Sequence, residues 1–410
     1  MSLITVAIGR AARPEQRTLG IACGAHALHD GFTDLLYVLL PLWQAEFGLG
    51  YAEVGMLRAL YAGTMAGFQV PSGMLAERLG GPVVLALGTA LAGVGYLVAG
   101  ASTGFGLLMA ALVIGGLGSS TQHPIASNMV ARAFAGRRSR TALSSYNFAG
   151  DLGKMAIPAA TAWLVALMPW RAATGVIGGV ALVAAVTILA LRRAAEPAAA
   201  EIGRSRDMGQ AADQQPGAHA TPPPVAPGTR GFRLLLAIGV IDSATRMGFL
   251  TFLPFLLKMK GADLPMVGFA LTLIFAGGAA GKLVCGLLGA RLGVIPTVFL
   301  SEGLTAAGIL LLLPLPLAAG LAVLPAIGIA LNGTSSVLYG TVPELVTPQR
   351  QQRAFSIFYT CGIGAGALAP VLYGLASDLA TVPVMMTMIA TVVLLTLPLS
   401  WMLRPSLRPQ

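Results

Sequence analysis

Several helix-length apolar stretches of this chain carry ionisable side chains where hydrocarbon is expected, and these residues have chemistry to offer. Residues 18–43 hold His26, His29, Asp30 and Asp34. Positions 26, 30 and 34 follow an i, i+4, i+8 spacing, so on a helix they line one stripe about 12 Å long at 1.5 Å per residue. A carboxylate at mid-depth can take a proton from one side of a barrier and give it up to the other. Neighbouring imidazoles, which titrate near neutrality, can tune or relay it. Asp30 is the candidate proton site, with Asp34, His26 and His29 beside it. A fixed contact to substrate or to another helix is the competing role for the same carboxylate.

Arg58 enters the second apolar stretch at about the depth of Asp34, so an Asp34–Arg58 pair is expected, structural or functional. Asp151 and Lys154 are i, i+3, and Asp242 and Arg246 are i, i+4. Each pair either neutralises itself or leaves Lys154 and Arg246 facing one another to clamp an anionic group. Arginine suits that task because its planar fork holds carboxylate, phosphate or phosphonate in bidentate fashion. His123 precedes Pro124, which removes a backbone hydrogen bond and predicts a kink. His123 is either hydrogen-bonded structure or a substrate contact. Lys282 is placed to snorkel, and Glu302 to have a structural partner. A charge at mid-membrane costs about 2.5–3.5 kcal/mol on insertion scales, so such residues face a cavity or each other. His26, His29, Asp30 and Asp34 also suggest a metal-ion carrier or an intramembrane metalloenzyme. There is no His-Glu-x-x-His segment and neighbouring stretches add few ligands, so no metal and no cofactor is expected.

The elements that position these residues follow from composition. Of 410 residues, 56% are hydrophobic and 10% charged, against roughly 25% charged in soluble domains. A membrane-spanning helix needs about 20 apolar residues. Twelve stretches qualify, at 18–43, 51–75, 82–101, 104–131, 141–168, 171–191, 233–257, 264–286, 294–316, 319–342, 354–377 and 381–403. Backbone polar groups in lipid must pair internally, which makes the stretches helices. The net charge of +10 does not imply nucleic acid. Most Lys and Arg, such as Arg13, Arg17, Arg78, Arg132, Arg138 and Arg404, fall on one side when both termini are cytoplasmic. Residues 1–17 are polar and the next apolar run exceeds a signal h-region, so no cleavable signal peptide is expected. Residues 194–231, with Pro222-Pro223-Pro224, read as a disordered cytoplasmic linker between 1–193 and 232–410. Trp43, Trp170 and Trp401 fall at span ends as interfacial anchors. Cys23, Cys285 and Cys361 make neither a disulfide framework nor a zinc spacing.

Residues 54–80 and 267–293 are one pattern written twice, 213 positions apart. Val54-Gly55 matches Val267-Gly268, and the offset also pairs Pro41 with Pro254, Arg140 with Arg353, Tyr146 with Tyr359 and Gly153 with Gly366. Two related halves around a midplane site is the build of secondary transporters.

With this repeat, Gly73-x-Leu75-Ala76-Glu77-Arg78-x-Gly80 between the second and third spans resembles the signature loop of the major facilitator superfamily. Glu77 stands where that loop usually has Asp, and Ala290 leaves the second copy without its acid. The resemblance implies an all-α membrane protein of twelve helices in two pseudo-symmetric six-helix bundles. It also implies a gating latch at Gly73, Glu77, Arg78 and Gly80. Gly118-Ser119-Ser120-Thr121-Gln122-His123-Pro124, then Ala131-Arg132, resembles fosmidomycin-resistance-type drug/proton antiporters. Gly150-Asp151-Leu152-Gly153-Lys154-Met155-Ala156-Ile157-Pro158 is similar to the antiporter motif, with Ile157 replacing its last glycine. Asp30 coincides with an acid of those antiporters.

The expected function is a proton-coupled antiporter of the bacterial inner membrane, not an enzyme, exporting a small organic compound by alternating access. A proton symporter importing an organic anion or sugar is the alternative. Its partners are a small-molecule substrate, protons and lipid, and it acts as a monomer. With no phosphate-binding Gly-rich Lys loop, direct ATP drive is not expected.

Overall fold

The computed structural model describes residues 14–134, 136–192, 230–347 and 350–407, all helical or in short connections. The helices are α1 (Pro14–Asp34), α2 (Leu36–Phe47), α3 (Tyr51–Leu79), α4 (Gly81–Gly100), α5 (Phe105–Ser119), α6 (Gln122–Ala133), α7 (Gly136–Leu167) and α8 (Trp170–Arg192). They continue as α9 (Arg230–Met259), α10 (Leu264–Leu292), α11 (Val294–Leu312), α12 (Leu317–Thr341), α13 (Gln351–Leu379), α14 (Val382–Leu394) and α15 (Thr396–Leu403). The pairs α1–α2, α5–α6 and α14–α15 each form one interrupted rod, giving twelve rods in all. Nine rods among the described residues are long and apolar enough to cross a membrane. The three that fall short, α1–α2, α3 and α7, carry His26 to Asp34, Arg58, and Asp151 with Lys154. The polarity that lowers their hydropathy is the polarity of the site.

The internal repeat has a backbone counterpart. Helices α3 and α10 are both 29 residues long and start and stop 213 positions apart. Among the described residues, the positive-φ positions are Gly48 and Gly261, at 63° and 88°, and Gly80 and Gly293, at 89° and 85°. Each pair is again 213 apart. Glycine adopts that region without the Cβ penalty, so the same corners recur in both bundles.

In the first bundle α1 packs on α7, and α4 on α5 and α8; in the second α9 packs on α13, and α12 on α10 and α11. The bundles meet along α3 with α13 and α7 with α10. These contacts gather at the helix ends remote from the chain termini. A Cβ at Gly55 would strike the Pro370 carbonyl, and one at Gly374 the carbonyl of Tyr51. The Asp378 carboxylate accepts from the Tyr51 and Ala52 amides at 2.6 and 2.8 Å, capping α3 across the interface. Thr272 donates to the Met155 carbonyl at 2.8 Å on the other seam. Towards the termini, Gly63, Gly67 and Gly73 of α3 face open space. The molecule is closed at one end and open at the other.

Three expectations change. Most of the proposed linker 194–231, namely residues 194–229, lies outside the described residues, and Arg230 and Gly231 belong to α9. The fourth rod breaks at Ser120 and Thr121, before Pro124, which occupies the first turn of α6 where a missing amide costs little. Trp43 and Trp170 are not interfacial anchors: they are 0% and 8% exposed, with ring centroids 6.2 Å apart. Phe47 and Glu46 at the end of α2 also meet Trp170 of α8, with the indole N–H donating to Glu46 at 3.1 Å, so the two indoles bury against each other. Trp401 does stand exposed, while Val183, Val186, Leu368 and Leu372 help make the outer surface apolar.

Candidate functional site

A cavity of about 470 Å³ lies between the bundles, from the middle of the rods towards the termini. That volume suits a small organic molecule. Asp30, Asp34, Arg58, His123, Asp151, Lys154, Asp242, Arg246 and Lys282 all line it.

Asp30 is its most connected carboxylate. Its Oδ2 lies 3.3 Å from His26 Nε2 and 3.3 Å from Lys154 Nζ, and its Oδ1 lies 3.6 Å from His123 Nε2. Helix spacing puts His26 and Asp30 on one face of α1, α7 delivers Lys154, and the break before α6 brings in His123. His26 Nδ1 is 2.8 Å from the Tyr146 carbonyl. A carbonyl only accepts, so Nδ1 carries the hydrogen. His26 Nε2 and Asp30 Oδ2 then form an attractive contact only while one further proton sits on one of them. The close approach depends on Gly150, where a Cβ would stand 2.6 Å from His26 Nε2 and 2.8 Å from Asp30 Oδ2. Ile157, which replaces the antiporter-motif glycine, packs its side chain over Gly31 of α1. The volume added on α7 is removed on α1.

His29, expected beside this proton site, faces away from the cavity. Thr89 donates to the Leu85 carbonyl at 2.8 Å and therefore accepts from His29 Nε2 at 2.9 Å. His29 Nδ1 is left to accept from Ser119 at 3.4 Å, and Ser119 meets Tyr61 at 2.6 Å. Both ring nitrogens are used in a neutral tautomer.

Arg58 Nη2 lies 4.0 Å from Asp34 Oδ1 and donates to the Tyr37 hydroxyl at 3.2 Å, with Nε and Nη1 buried and unpartnered. Of the two arrangements open to the charges on α7 and α9, the local Asp151–Lys154 and Asp242–Arg246 pairs do not form within 4.0 Å. Three residues along α7 turn Asp151 towards α10 and Lys154 towards α1. Asp151 therefore binds Lys282 at 2.6 and 2.8 Å, which replaces the expected snorkelling of Lys282. Asp242 makes no ion pair with Arg246 within 4.0 Å and interacts with the Glu302 carboxyl of α11. Arg246 makes no ion pair within 4.0 Å among the described residues, and its Nε is buried without a partner.

The residues expected to form a gating latch, Gly73 to Gly80, sit at the open end. Gly80 makes the corner between α3 and α4, and Glu77 and Arg78 are exposed. Neither enters an ion pair within 4.0 Å among the described residues. Three potential metal ligands also converge: atoms of His26, Asp30 and His123 lie within 4.8 Å of one another. His123 takes the place that the sequence gave to His29 and Asp34, whose side chains go to Thr89 and Arg58. Lys154 at the same carboxylate opposes a cation there. The signal for His123 was its helix break; the Lys282–Asp151 and Asp242–Glu302 contacts had no sequence signal.

Comparison with known proteins agrees with this architecture. The chain is 28% identical over 155 residues to the fosmidomycin resistance protein of Escherichia coli (strain K12), a match spanning 38% of each chain. It is 29% identical over 131 residues to an uncharacterized MFS-type transporter of Mycobacterium tuberculosis (strain ATCC 25618 / H37Rv), covering 32% of this chain and 23% of that one. The fold matches a bacterial homolog of the human lysosomal transporter Spinster, solved inward-facing and unoccupied. That likeness has a TM-score of 0.76 at 12% identity, over 97% of this chain and 98% of that one. The occupied inward-facing form gives 0.73 at 14% identity, with the same coverage. The Major Facilitator Superfamily model matches residues 22–256 and again 235–410, and the chain therefore belongs to that superfamily of multi-pass secondary transporters.

Proposed function

We propose that this chain is a proton-coupled antiporter that exports a small organic compound bearing an anionic group, by alternating access. The observation that carries this reading is Arg246. Among the described residues it is the cavity cation that has no carboxylate within 4.0 Å, while Lys154, Arg58 and Lys282 each have one. An unengaged guanidinium facing a small-molecule cavity suits a carboxylate, phosphate or phosphonate.

Asp30 is the proton-exchanging group in this proposal. The His26–Asp30 contact needs one proton beyond that on Nδ1. Once that proton leaves, the carboxylate accepts from a donor group of the substrate, and an arriving proton displaces that donor. Competition for one carboxylate is the thermodynamic content of antiport. The name of the Escherichia coli relative supports export. The distribution of Lys and Arg supports cytoplasmic termini in a bacterial inner membrane, so the open end of the cavity faces inward. One chain encloses the whole cavity, which suits a monomer.

Import of an organic anion by proton symport is a second reading, favoured by the Asp30–Lys154 contact. Protonating Asp30 frees Lys154 for an anion, so proton and anion would bind together. Everted vesicles separate the two. Accumulation of an organic anion driven by an acidic lumen supports export by antiport. Faster loss of a preloaded anion under the same gradient supports symport. Movement indifferent to the gradient overturns both.

A further inference from the structure

Asp242 and Glu302 lie 213 residues beyond His29 and Thr89. The two pairs therefore occupy equivalent places in the two bundles. In the first bundle the contact is neutral and fully ordered, imidazole to hydroxyl to carbonyl. In the second, a carboxyl group faces a carboxyl group.

The Asp242 and Glu302 side chains lie close enough to interact directly, at the place where the first bundle joins His29 to Thr89. Ionised carboxylates only accept, so two carboxyl groups can hydrogen-bond each other only with a proton on one of them. Both residues are buried, at 5% and 2% exposure, and neither has a cation within 4.0 Å among the described residues. Glu302 Oε1 is buried with no partner at all. Two unpaired charges side by side in that setting are electrostatically untenable. Asp242 lines the cavity while Glu302 lies behind it, so a proton enters and leaves through Asp242.

The surroundings decide what such a proton senses. Arg246 stands one turn along α9 from Asp242. Cys285 of α10 is within electrostatic reach of Glu302 and Tyr339 of α12 within reach of Asp242, and the Tyr339 and Tyr359 rings lie 5.2 Å apart, tilted by 42°. Asp34 of α1 faces Arg246 across the cavity. Helices α14 and α15 have no titratable side chain. Among the described residues Arg246 is thus the one cation acting on the pair, and no carboxylate lies within 4.0 Å of it.

We propose that Asp242 and Glu302 form a second proton-binding site, holding one shared proton whose residence depends on whether Arg246 is engaged by an anion. With Arg246 bare, its charge favours an ionised Asp242 and the proton passes to the cavity. With an anion on Arg246, that charge is balanced and the proton stays. Proton and anion occupancy rise together here, opposite in sense to the competition at Asp30. The coupling rests on the anion-binding reading of Arg246; the shared proton does not.

Infrared difference spectroscopy of the full chain in lipid nanodiscs reads the carbonyl stretch of protonated carboxyl groups across mildly acidic to mildly alkaline pH. A titrating band is expected that Glu302→Gln removes, Asp242→Asn displaces in frequency, and Asp30→Asn leaves in place. Arg246→Gln should move its midpoint upward by about one pH unit or more, because a nearby cation favouring the ionised form is gone. No band depending on both acids overturns the shared proton, and an unmoved midpoint overturns the link to Arg246. Asp242→His combined with Glu302→Thr rebuilds the neutral pair of the first bundle, keeping an interhelix hydrogen bond without a carboxyl proton. A changed proton-to-substrate ratio in vesicles is then expected; an unchanged ratio makes the pair a spectator and overturns the proposal. Failure of the transport reading would show as absent gradient-driven flux with this band intact.

Discussion

Lys282 holds both carboxylate oxygens of Asp151, at 2.6 and 2.8 Å, from the opposite bundle. On α10 it lies ten residues beyond Thr272, about 15 Å at the helical rise, whereas Asp151 is four residues from Met155, the partner of Thr272. The lysine stem folds back towards the middle of the rods, so this contact ties the bundles on the open side of the cavity. The Lys282 side chain is 45% exposed. Its coupling to Asp151 is therefore expected to be modest, on the order of 1 kcal/mol or less. A double-mutant cycle of Lys282→Ala and Asp151→Ala on thermal stability should give that coupling, with Asp151→Lys plus Lys282→Asp restoring part of the loss. Strictly additive single losses would show that the pair does not fasten the bundles.

Asp30→Asn should abolish gradient-driven transport while leaving substrate exchange at equal pH measurable. The amide keeps the shape and a hydrogen bond to Lys154 or His26 but cannot exchange a proton. Full gradient-driven accumulation by this variant would remove Asp30 from coupling.

Arg246→Gln should weaken binding of an anionic substrate by roughly 10- to 100-fold, since hydrogen bonds to charged groups contribute about 1.5–3 kcal/mol. Thermal-shift titration with a panel of phosphonates and organic acids measures this. Equal affinity in parent and variant would place the anion elsewhere, with Arg58 and Lys154 the next candidates.

Gly150→Val should disable the site without undoing the fold. Its side chain would enter space held by His26 Nε2 and Asp30 Oδ2, and overpacking of this kind costs about 1–3 kcal/mol. Transport is expected to fall far more than melting temperature; a loss of both in parallel would mean that Gly150 serves packing alone.

Gly55→Leu should hinder closure at the end remote from the termini, because α3 there touches the backbone of α13 at Pro370. In a background without native cysteines, Met247→Cys reports access to the cavity. Adding Gly55→Leu should raise its reactivity towards a membrane-impermeant thiol reagent applied from that side. Unchanged reactivity would mean that this approach does not limit closure.

Much of the fold was legible because its signals are local. Apolar runs of helical length placed twelve rods, and the 213-residue offset returned in the matching limits of α3 and α10 and in the glycine corners at 48, 80, 261 and 293. The residues lining the cavity were legible too, since a charge within an apolar run has few other places to go. Their partners were not. Lys154 looks local to Asp151 in sequence but meets Asp30, and Asp242 looks local to Arg246 but meets Glu302.

The sequence by itself determined how many helices cross the membrane, that they form two related sets, and which ionisable side chains are drawn inward. Hydropathy and periodicity belong to single helices and can be read along the chain. Tertiary structure alone decided that His29 is spent on Thr89, that Lys282 bridges the bundles, that Glu302 joins the polar interior, and that Arg246 is left unengaged. Those outcomes depend on the rotation and depth at which one helix meets another, and no property of either helix taken alone specifies them.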